Sequence, residues 1–417
     1  MQDSFEHHTV DIELPDTVKP PEDAPALADW IEDELGDTEL AEFLREHPQG
    51  AGLLANGESI LPRTVFDVVH DLIEIVPELA NEFAHTLDEK DLLPELSYSE
   101  VVGNLTEEEN ADTYLEAKYR VARDRISLRE SEEEKDENDK LYIRTANNAL
   151  TRLRAKYGLP EFIVPDEAVR FVPGADKQFN IASDKKLVGL FSLKKQSTYF
   201  PKESKGGERL GDIFHEFAHF HSYGSFRFDR RQDGKYEAQD YRVGLTVRPR
   251  AREGKIMPPY LEALNEAVTE ETANRLFRDI PEDDPDLGNL SQEGHAIFDQ
   301  IDTRFADILE KKRLRSYWMK YRIDDNGEAV FSSSYAKERN MMFDMFKKIY
   351  NMNPNRFEER SLDEAVEELF EMLQRAMFTG NILPFGRLFN DTFGHGKFRE
   401  FGHLQTVEEQ QAFIEGL

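Results

Sequence analysis

Two histidines four residues apart stand out in the stretch "IFHEFAHFHS" at residues 213–222. On an α-helix such residues lie on the same face, so His215 and His219 can direct their imidazole nitrogens at one metal ion. Glu216 projects into the space beside that ion, where a carboxylate can take a proton from a metal-bound water. His221 falls on a different face. The same spacing also arises by chance in ordinary helices, and a zinc site needs a third ligand.

A second segment offers that ligand. Residues 259–277, "PYLEALNEAVTEETANRLF", favour a helix that begins at Pro259. Its predicted buried stripe consists of Ala263, Leu264, Ala267 and Val268. Glu266 and Glu270 lie one turn apart beside this stripe, where two carboxylates repel each other and lose hydration. A zinc ion bound to Glu266, with Glu270 accepting the N–H of a ligand histidine, would compensate them. The alternative is a pair of solvated glutamates.

The order of these two segments resembles a known family. "HEFAH" followed by "NEAVTE" is similar to the gluzincin zinc metallopeptidases, whose thermolysin-like members carry HExxH and then an NExxSD-type segment on a second helix. The resemblance implies that His215, His219 and Glu266 bind one zinc ion per chain. It also implies that Glu216 is the catalytic base and that the reaction is hydrolysis of a peptide bond in a peptide or protein substrate.

Two further positions match the family pattern, and two features depart from it. Asn265 matches the Asn that precedes the ligand Glu, and Glu270 matches the acidic partner of a ligand histidine, although the family has Asp there. The interval between the two motifs is longer than in thermolysin itself, which a hairpin insertion at residues 225–248 would explain. The resemblance covers about residues 168–280 and does not distinguish an endopeptidase from an aminopeptidase.

Strand patterns precede the first motif. The stretches "AVRFVP", "QFNIA" and "LVGLFSLKKQSTYF" are rich in β-branched and aromatic residues and predict strands. The last of them is the expected counterpart of the edge strand that binds the substrate backbone in the family. The HEFAH helix is expected to stop at Gly224, and Asp233-Gly234 marks a hairpin turn.

Helical patterns occupy most of the remaining chain, including "HAIFDQIDTRFADILEKKRLRSYWMKY" from residue 295. We therefore predict an α+β fold that is mostly helical, with a small mixed sheet packed on the HExxH helix in a zincin-like arrangement. The predicted regions are an acidic lead-in at 1–25, a helical amino-terminal region at 26–160 and a metallopeptidase domain at 161–417. Within that domain we expect the sheet and HExxH helix at 168–224, the hairpin insertion at 225–248, the third-ligand helix at 259–278 and a helical part at 291–417.

Composition narrows the classes of function. The 417 residues are 39% hydrophobic and include 29 Phe, enough for real cores in a globular protein. A formal charge of −32 argues against a general nucleic-acid role, because phosphate binding needs a basic surface. Cysteine is absent, so metal ligands must be His, Asp or Glu. Since neither a signal-peptide pattern nor an apolar run of roughly 18 residues is present, we expect a cytoplasmic protein without a membrane partner.

Hydrolysis also requires a donor for the developing oxyanion. By residue type the candidates are Tyr335, Tyr260 and His295. Tyr335 is preferred because "SSSYAKERNMMFDMF" places three serines, which are good N-cap residues, just before a helix. The inner side of that helix is predicted to carry Met341, Met342, Met345 and Phe346. A tyrosine in its first turn can turn toward a cleft, although such residues commonly only pack their rings.

Two other hypotheses remain open at this stage. The first is a catalytically inactive protein of metallopeptidase fold, in which zinc has a structural role, but a purely structural site has no use for Glu216. The second is that the amino-terminal helical region and the basic cluster at residues 310–322 bind a protein partner. A basic cluster of this kind is more often a solvated helix face.

Overall fold

The structure is a computed structural model, and it describes only part of the chain. The described residues are 29, 45, 96, 100–103, 114–115, 117–118, 121, 134–172, 189–193, 195–202, 206–230, 236–249, 258–290, 319–323, 329–333 and 335–417. The chain divides into two units, Met1–Glu95 with Thr106–Arg129 and Leu96–Leu105 with Glu130–Leu417. In the first unit Arg45 and Asp29 form an ion pair at 2.8 Å. All elements below belong to the second unit.

Nine strands form three small sheets in the described part of the second unit. The strands are β1 (Glu100–Gly103), β2 (Val169–Val172), β3 (Leu190–Ser192), β4 (Ser197–Pro201), β5 (Gly224–Arg230), β6 (Tyr236–Val243), β7 (Thr246–Val247), β8 (Met319–Ile323) and β9 (Ala329–Ser333). The first sheet has the order β1-β5-β6-β7, the second has β2-β4-β3, and β8 pairs with β9. The second sheet is mixed, because β2 runs parallel and β3 antiparallel to β4. In this sheet β3 is an edge strand.

Eight helices carry most of the core in the same described part of the chain. They are α1 (Glu137–Lys156), α2 (Gly206–His221), α3 (Glu262–Arg278), α4 (Ala336–Met352), α5 (Leu362–Thr379), α6 (Leu383–Phe393), α7 (Lys397–Gly402) and α8 (Val407–Gly416). Helix α2 packs against α1, α3, β3 and β4, while α4 packs against α3 and α5. The apolar faces of these helices bury completely, as at Phe214, Leu264 and Phe346. The prediction of a mostly helical α+β fold with a small mixed sheet is confirmed.

Local sequence signals begin and end several of these helices. Capping boxes begin α1 at Asp136, α5 at Ser361 and α8 at Thr406. Helix α5 ends at Gly380, whose positive φ of 75° suits glycine. The predicted inner side of α4 is also confirmed, because its four predicted residues are fully buried: Met341, Met342, Met345 and Phe346. Among the described helices none is long and apolar enough to cross a membrane.

Four local predictions were wrong. The helix predicted from residue 295 was expected to reach residue 321, but Met319–Ile323 is a strand that pairs with Ala329–Ser333. The hydrogen bonds between these two strands outweigh the helical pattern of the sequence. The serines before α4 do not cap it, since β9 ends at Ser333 and Tyr335 occupies the N-cap. Helix α2 ends before Gly224, which is the first residue of β5.

The fourth correction concerns the start of α3. This helix begins at Glu262 and not at Pro259, because Tyr260 exchanges backbone hydrogen bonds with Val247 at 2.8 and 3.1 Å. Leu261 then adopts a left-handed conformation with φ 58° and leads into the helix. Tyr260, which the amino-acid pattern assigned to the first turn of α3, is therefore paired with β7 instead.

The predicted hairpin has both of its strands, since β5 pairs antiparallel with β6. Its predicted turn at Asp233-Gly234 lies outside the described residues, as does the predicted strand "QFNIA". Most of the helix predicted from residue 295, including His295, is outside them too.

Candidate metal centre

Helix α2 presents two histidines to α3. The helix is anchored by fully buried side chains on the flanks of the motif, at Ile213, Phe214, Phe217 and Ala218. The helical repeat then places His215 and His219 one turn apart, with their ring centroids 5.0 Å from each other. Both imidazoles are buried, so the sequence-predicted ligand pair faces the protein interior.

Glu266 on α3 meets both histidines. Its Oε2 lies 3.3 Å from Nε2 of His215, and its Oε1 lies 3.5 Å from Nε2 of His219. One ligand atom from each of the three residues lies within 4.8 Å of the others. Among the described residues this is the one group of three or more His, Asp, Glu or Cys side chains with such spacing.

The outer nitrogen of His215 has its own acceptor. Its Nδ1 lies 2.8 Å from Oε2 of Glu270, whose side chain is fully buried. Asn274 donates its amide N–H to Oε1 of the same carboxylate at 3.1 Å. An acceptor on Nδ1 holds a proton there and turns Nε2 toward Glu266, which is the ring orientation that metal binding through Nε2 requires. The structure thus brings Glu270 to the position expected from the sequence.

Asn265 lies beside the outer nitrogen of the other histidine. Its carboxamide nitrogen is 3.5 Å from Nδ1 of His219, and its Oδ1 accepts the backbone N–H of Leu245 at 2.7 Å. Gly244 makes this approach possible, because a Cβ there would lie 2.4 Å from Oδ1 of Asn265. The turn between β6 and β7 therefore fixes Asn265.

The charges in this pocket strongly perturb one another. Burial alone would lower the pKa of His215, but hydrogen bonds to Glu266 and Glu270 and the charge of Glu216 raise it to about 10. Burial disfavours the charged form of Glu266, yet His219 and His215 hold the pKa of that carboxyl far below its usual range. Two buried carboxylates, Glu216 and Glu270, and the partly exposed Glu266 lie beside two histidines and leave an excess of negative charge that suits a cation.

Glu216 lies on the same helix and is 6% exposed. Its carboxylate approaches the start of β3, where Gly189 leaves so little space that a Cβ would lie 2.6 Å from Cγ and Oε1 of Glu216. The base candidate therefore lies against the segment that leads into the edge strand of the mixed sheet, and its charge acts on His215.

Aromatic rings cover both histidines. The ring of Tyr335 lies parallel to that of His215, with centroids 5.2 Å apart and planes inclined by 5°. The ring of Phe191 on β3 is nearly parallel to that of His219, with centroids 6.4 Å apart and an angle of 9°. Burial and the charges of Glu266, Glu216 and Glu270 raise the pKa of the Tyr335 phenol. Tyr335 is therefore protonated and able to donate.

The other two candidates for the oxyanion donor have different outcomes. The ring of Tyr260 packs against that of His403 with centroids 4.5 Å apart, and its backbone belongs to the pairing with β7. His295 lies outside the described residues. Of the three, Tyr335 is the one that the structure places against a predicted zinc ligand.

His221 faces away from this pocket, as predicted. Its ring packs edge-on against that of Phe162, with centroids 5.2 Å apart, and its Nε2 lies 3.4 Å from Oδ1 of Asn147. Burial and the charge of Arg154 lower its pKa to about 3. It is a neutral core histidine.

Two contacts of the pocket could not be identified from the sequence. Phe191 and Gly189 lie inside a predicted strand, and nothing in their own pattern indicates that they meet residues of α2. A third neighbour, Glu338 in the first turn of α4, has its pKa raised by burial and by the charge of Glu266. Its position depends on how α4 packs against α3.

The chain has no match among protein-family models, curated proteins or solved structures. Its function must therefore be argued from the pocket itself.

The donor set fits a zinc ion. Two imidazole Nε2 atoms and one carboxylate converge, which is the histidine–histidine–carboxylate set of a catalytic zinc site with an open position. Glu270 and Asn265 occupy the sides of the imidazoles that face away from Glu266.

Proposed function

We propose that this protein is a zinc-dependent metallopeptidase that hydrolyses peptide bonds. The observation that carries the proposal is the convergence of His215, His219 and Glu266 with Glu216 beside them. A purely structural site needs ligands only, whereas this pocket also contains a carboxylate that is next to the ligands and is not one of them. The gluzincin resemblance of the two motifs supports the same interpretation.

The ligand residues have distinct tasks in this proposal. A bound zinc ion supplies Lewis acidity and lowers the pKa of a water molecule to about 7. His215 and His219 would bind the ion through Nε2; Glu270 orients the ring of His215 by accepting its Nδ1–H, and Asn265 lies beside the ring of His219. Glu266 contributes the third donor and stays ionised, because both histidines stabilise its carboxylate.

Glu216 is the proposed general base, and Tyr335 is the proposed hydrogen-bond donor to the oxyanion. Glu216 accepts a proton from the water as its oxygen attacks the carbonyl carbon. It then donates this proton to the amide nitrogen, which leaves as an amine when the peptide bond breaks. The Tyr335 O–H donates a hydrogen bond to the oxyanion that develops on the scissile carbonyl. Its parallel stacking on His215 keeps it next to the ligands.

The edge strand β3 is the proposed binding site for the substrate backbone. In the described part of the sheet β3 pairs with β4 alone, so its other edge can accept an extended peptide by adding a strand. Gly189, which precedes this strand, lies against Glu216, and the ring of Phe191 on the strand lies nearly parallel to that of His219. A peptide on this edge would therefore lie beside the base and the ligands.

The decisive experiment combines metal content with peptide cleavage. Purified protein reconstituted with zinc should cleave casein or a quenched fluorescent peptide library, a chelator should abolish cleavage, and added zinc should restore it. Glu216→Gln should retain zinc and lose at least about 10²-fold in kcat, because the amide cannot accept a proton. Zinc-loaded wild-type protein that cleaves neither substrate would contradict the proposal and favour a metallopeptidase-fold scaffold.

A further inference from the structure

Gly189 immediately precedes β3 and lies against the side chain of Glu216. A Cβ at this position would lie 2.6 Å from Cγ and Oε1 of Glu216 and 2.9 Å from its Cδ. Separations this short are not tolerated between non-bonded heavy atoms, so either the carboxylate or the strand would have to move. The present position of Glu216 thus depends on the absence of a side chain at residue 189.

Glycine is needed at residue 189 because a side chain would collide with Glu216, and not because the backbone has a conformation that only glycine adopts. The described glycines with positive φ are Gly158, Gly206, Gly244, Gly380, Gly394 and Gly396. Gly189 is not among them, so alanine could adopt its backbone conformation. The steric contact with Glu216 is what an added methyl group would change, and the two effects can therefore be separated by mutation.

Neither side of this contact can readily withdraw. Glu216 belongs to the middle of α2, where Phe214 and Phe217 are fully buried. Strand β3 is attached to the same helix two residues later, where Phe191 meets His219 and packs on Phe220 at 4.9 Å. An added methyl group at residue 189 would therefore force the Glu216 side chain to rotate about χ1, because Cγ itself would lie within 2.6 Å, and this rotation moves the carboxylate.

We propose that Gly189 is a positioning residue for Glu216. Because residue 189 has no side chain, the carboxylate of Glu216 can occupy the space beside the edge strand and the histidine ligands. The inference rests on the proposed peptidase function. A displaced base slows proton transfer in the transition state but leaves the ligands and the substrate-binding edge in place. The loss should consequently appear in kcat, with zinc content and KM nearly unchanged.

The test is a comparison of Gly189→Ala in two backgrounds. In the wild-type background we expect kcat for the quenched peptide to fall by about 10-fold to 10²-fold, with zinc stoichiometry and melting temperature unchanged. Glu216→Ala removes Cγ, Cδ and both carboxylate oxygens, which include every atom that the new methyl group would meet. In that background Gly189→Ala should change the residual kcat by less than about 2-fold, because the side chain on which the new methyl group acts has been removed.

Gly211→Ala is the matched control, since Gly211 lies on α2 and a Cβ there meets no atom within 4 Å. It should keep wild-type kcat. Equal losses from Gly189→Ala in both backgrounds, wild-type kcat in the single variant, or loss of zinc would overturn the inference. If Gly189→Ala alone does not fold, recovery of folding in the double variant supports the contact and failure to recover refutes it. Inactive zinc-loaded wild-type protein refutes the proposed function first and the role of Gly189 with it.

Discussion

The aromatic ring of Tyr335 lies parallel to the imidazole ring of His215, with centroids 5.2 Å apart and planes inclined by 5°. Tyr335 reaches this position as the N-cap of α4 in a left-handed conformation, with φ 49° and ψ 33°. A non-glycine residue rarely adopts that conformation, and it persists where the surroundings hold it. The buried face of α4 supplies such surroundings, so the phenol is held over the ligand.

Tyr335→Phe should separate the hydroxyl from the ring. Phenylalanine preserves the stacking on His215 and removes only the O–H donor, so kcat should fall by about 10²-fold while zinc content and KM stay nearly unchanged. Steady-state kinetics with a quenched peptide, together with elemental analysis, would check this.

A companion variant tests the ring itself. Tyr335→Leu removes both the hydroxyl and the stacked ring, and we expect it to lower zinc affinity as well as kcat because His215 loses its cover. Wild-type kcat in Tyr335→Phe would show that the phenol only packs against the ligand, and another donor would then have to be sought.

The sequence was sufficient to predict which residues share a face in the candidate metal centre, because each pair depends on a helical repeat. His215 and His219 are one turn apart, and so are Glu266 and Glu270. Once both segments are helices, each pair must share a face. The small mixed sheet was likewise predictable from short runs of β-branched and aromatic residues.

Contacts between segments that are distant in sequence could not be predicted from helical repeats or residue composition. Gly189 and Glu216 are far apart in sequence, and their contact depends on how β3 crosses α2. The strand at Met319–Ile323 was missed because its partner, Ala329–Ser333, decides between strand and helix. The left-handed conformation of Tyr335 was missed for a similar reason, since it follows from joining β9 to α4 and not from residue type.

Glu266 and Glu270 should differ in their effect on zinc. Zinc titration of wild-type protein against a chromophoric chelator should give one equivalent per chain, and His215→Ala should abolish binding. Glu270→Gln removes a charged acceptor from Nδ1 of His215 and should weaken zinc affinity by about 10-fold to 10²-fold. Glu266→Gln removes a direct donor and should weaken it further.

The ranking of these two variants is the informative result. Equal or reversed effects would exchange the roles of the two glutamates. A wild-type stoichiometry well below half an equivalent after reconstitution would contradict the site as a whole.

Asp136 should stabilise α1 in a pH-dependent way. Its carboxylate accepts the backbone N–H of Asp139 at 2.8 Å, and that hydrogen bond lowers the pKa of Asp136. A depressed pKa means that the folded state favours the charged form. The stabilisation is complete above the ordinary pKa of 3.8 and is lost as the pH falls through the lower, folded-state value.

Asp136→Ala should therefore lower the free energy of unfolding by about 1 kcal/mol at pH 7. The difference from wild type should shrink as the pH is lowered below about 4. Asp136→Asn keeps an acceptor oxygen and should cost less than alanine at pH 7. Urea unfolding at several pH values measures all three proteins, and a pH-independent cost for alanine would show that charge has no part in this cap.

A buried ion pair should connect the position of Tyr335 to the ligand helix. Arg339 lies one turn after Tyr335 on α4 and donates its backbone N–H to the Tyr335 carbonyl at 2.9 Å. Its guanidinium Nη2 is 2.5 Å from Oε2 of Glu271 on α3, and both side chains are almost completely buried. Arg275 donates to the other oxygen of Glu271 at 2.8 Å. This network links α3 to the first turn of α4.

Glu271→Gln should lower the free energy of unfolding by about 3–5 kcal/mol, because it leaves the charge of Arg339 buried without its counter-ion. Arg339→Met should cost less, since Glu271 keeps Arg275 as a partner. The double variant Glu271→Leu with Arg339→Met should recover much of the loss, because an apolar pair of similar volume replaces the charges. Glu408→Gln, which breaks the exposed pair with Lys337, is the control and should leave the unfolding midpoint nearly unchanged.

The same variants show whether the network also serves the proposed reaction. In the double variant α3 and α4 stay packed but lose the fixed geometry of the ion pair, so kcat should fall while zinc stoichiometry remains one per chain. Urea unfolding, zinc titration and peptide cleavage on one set of proteins provide the three measurements. A double variant with wild-type kcat would show that Arg339 and Glu271 stabilise the fold without positioning Tyr335, whose place would then depend on the apolar face of α4 alone.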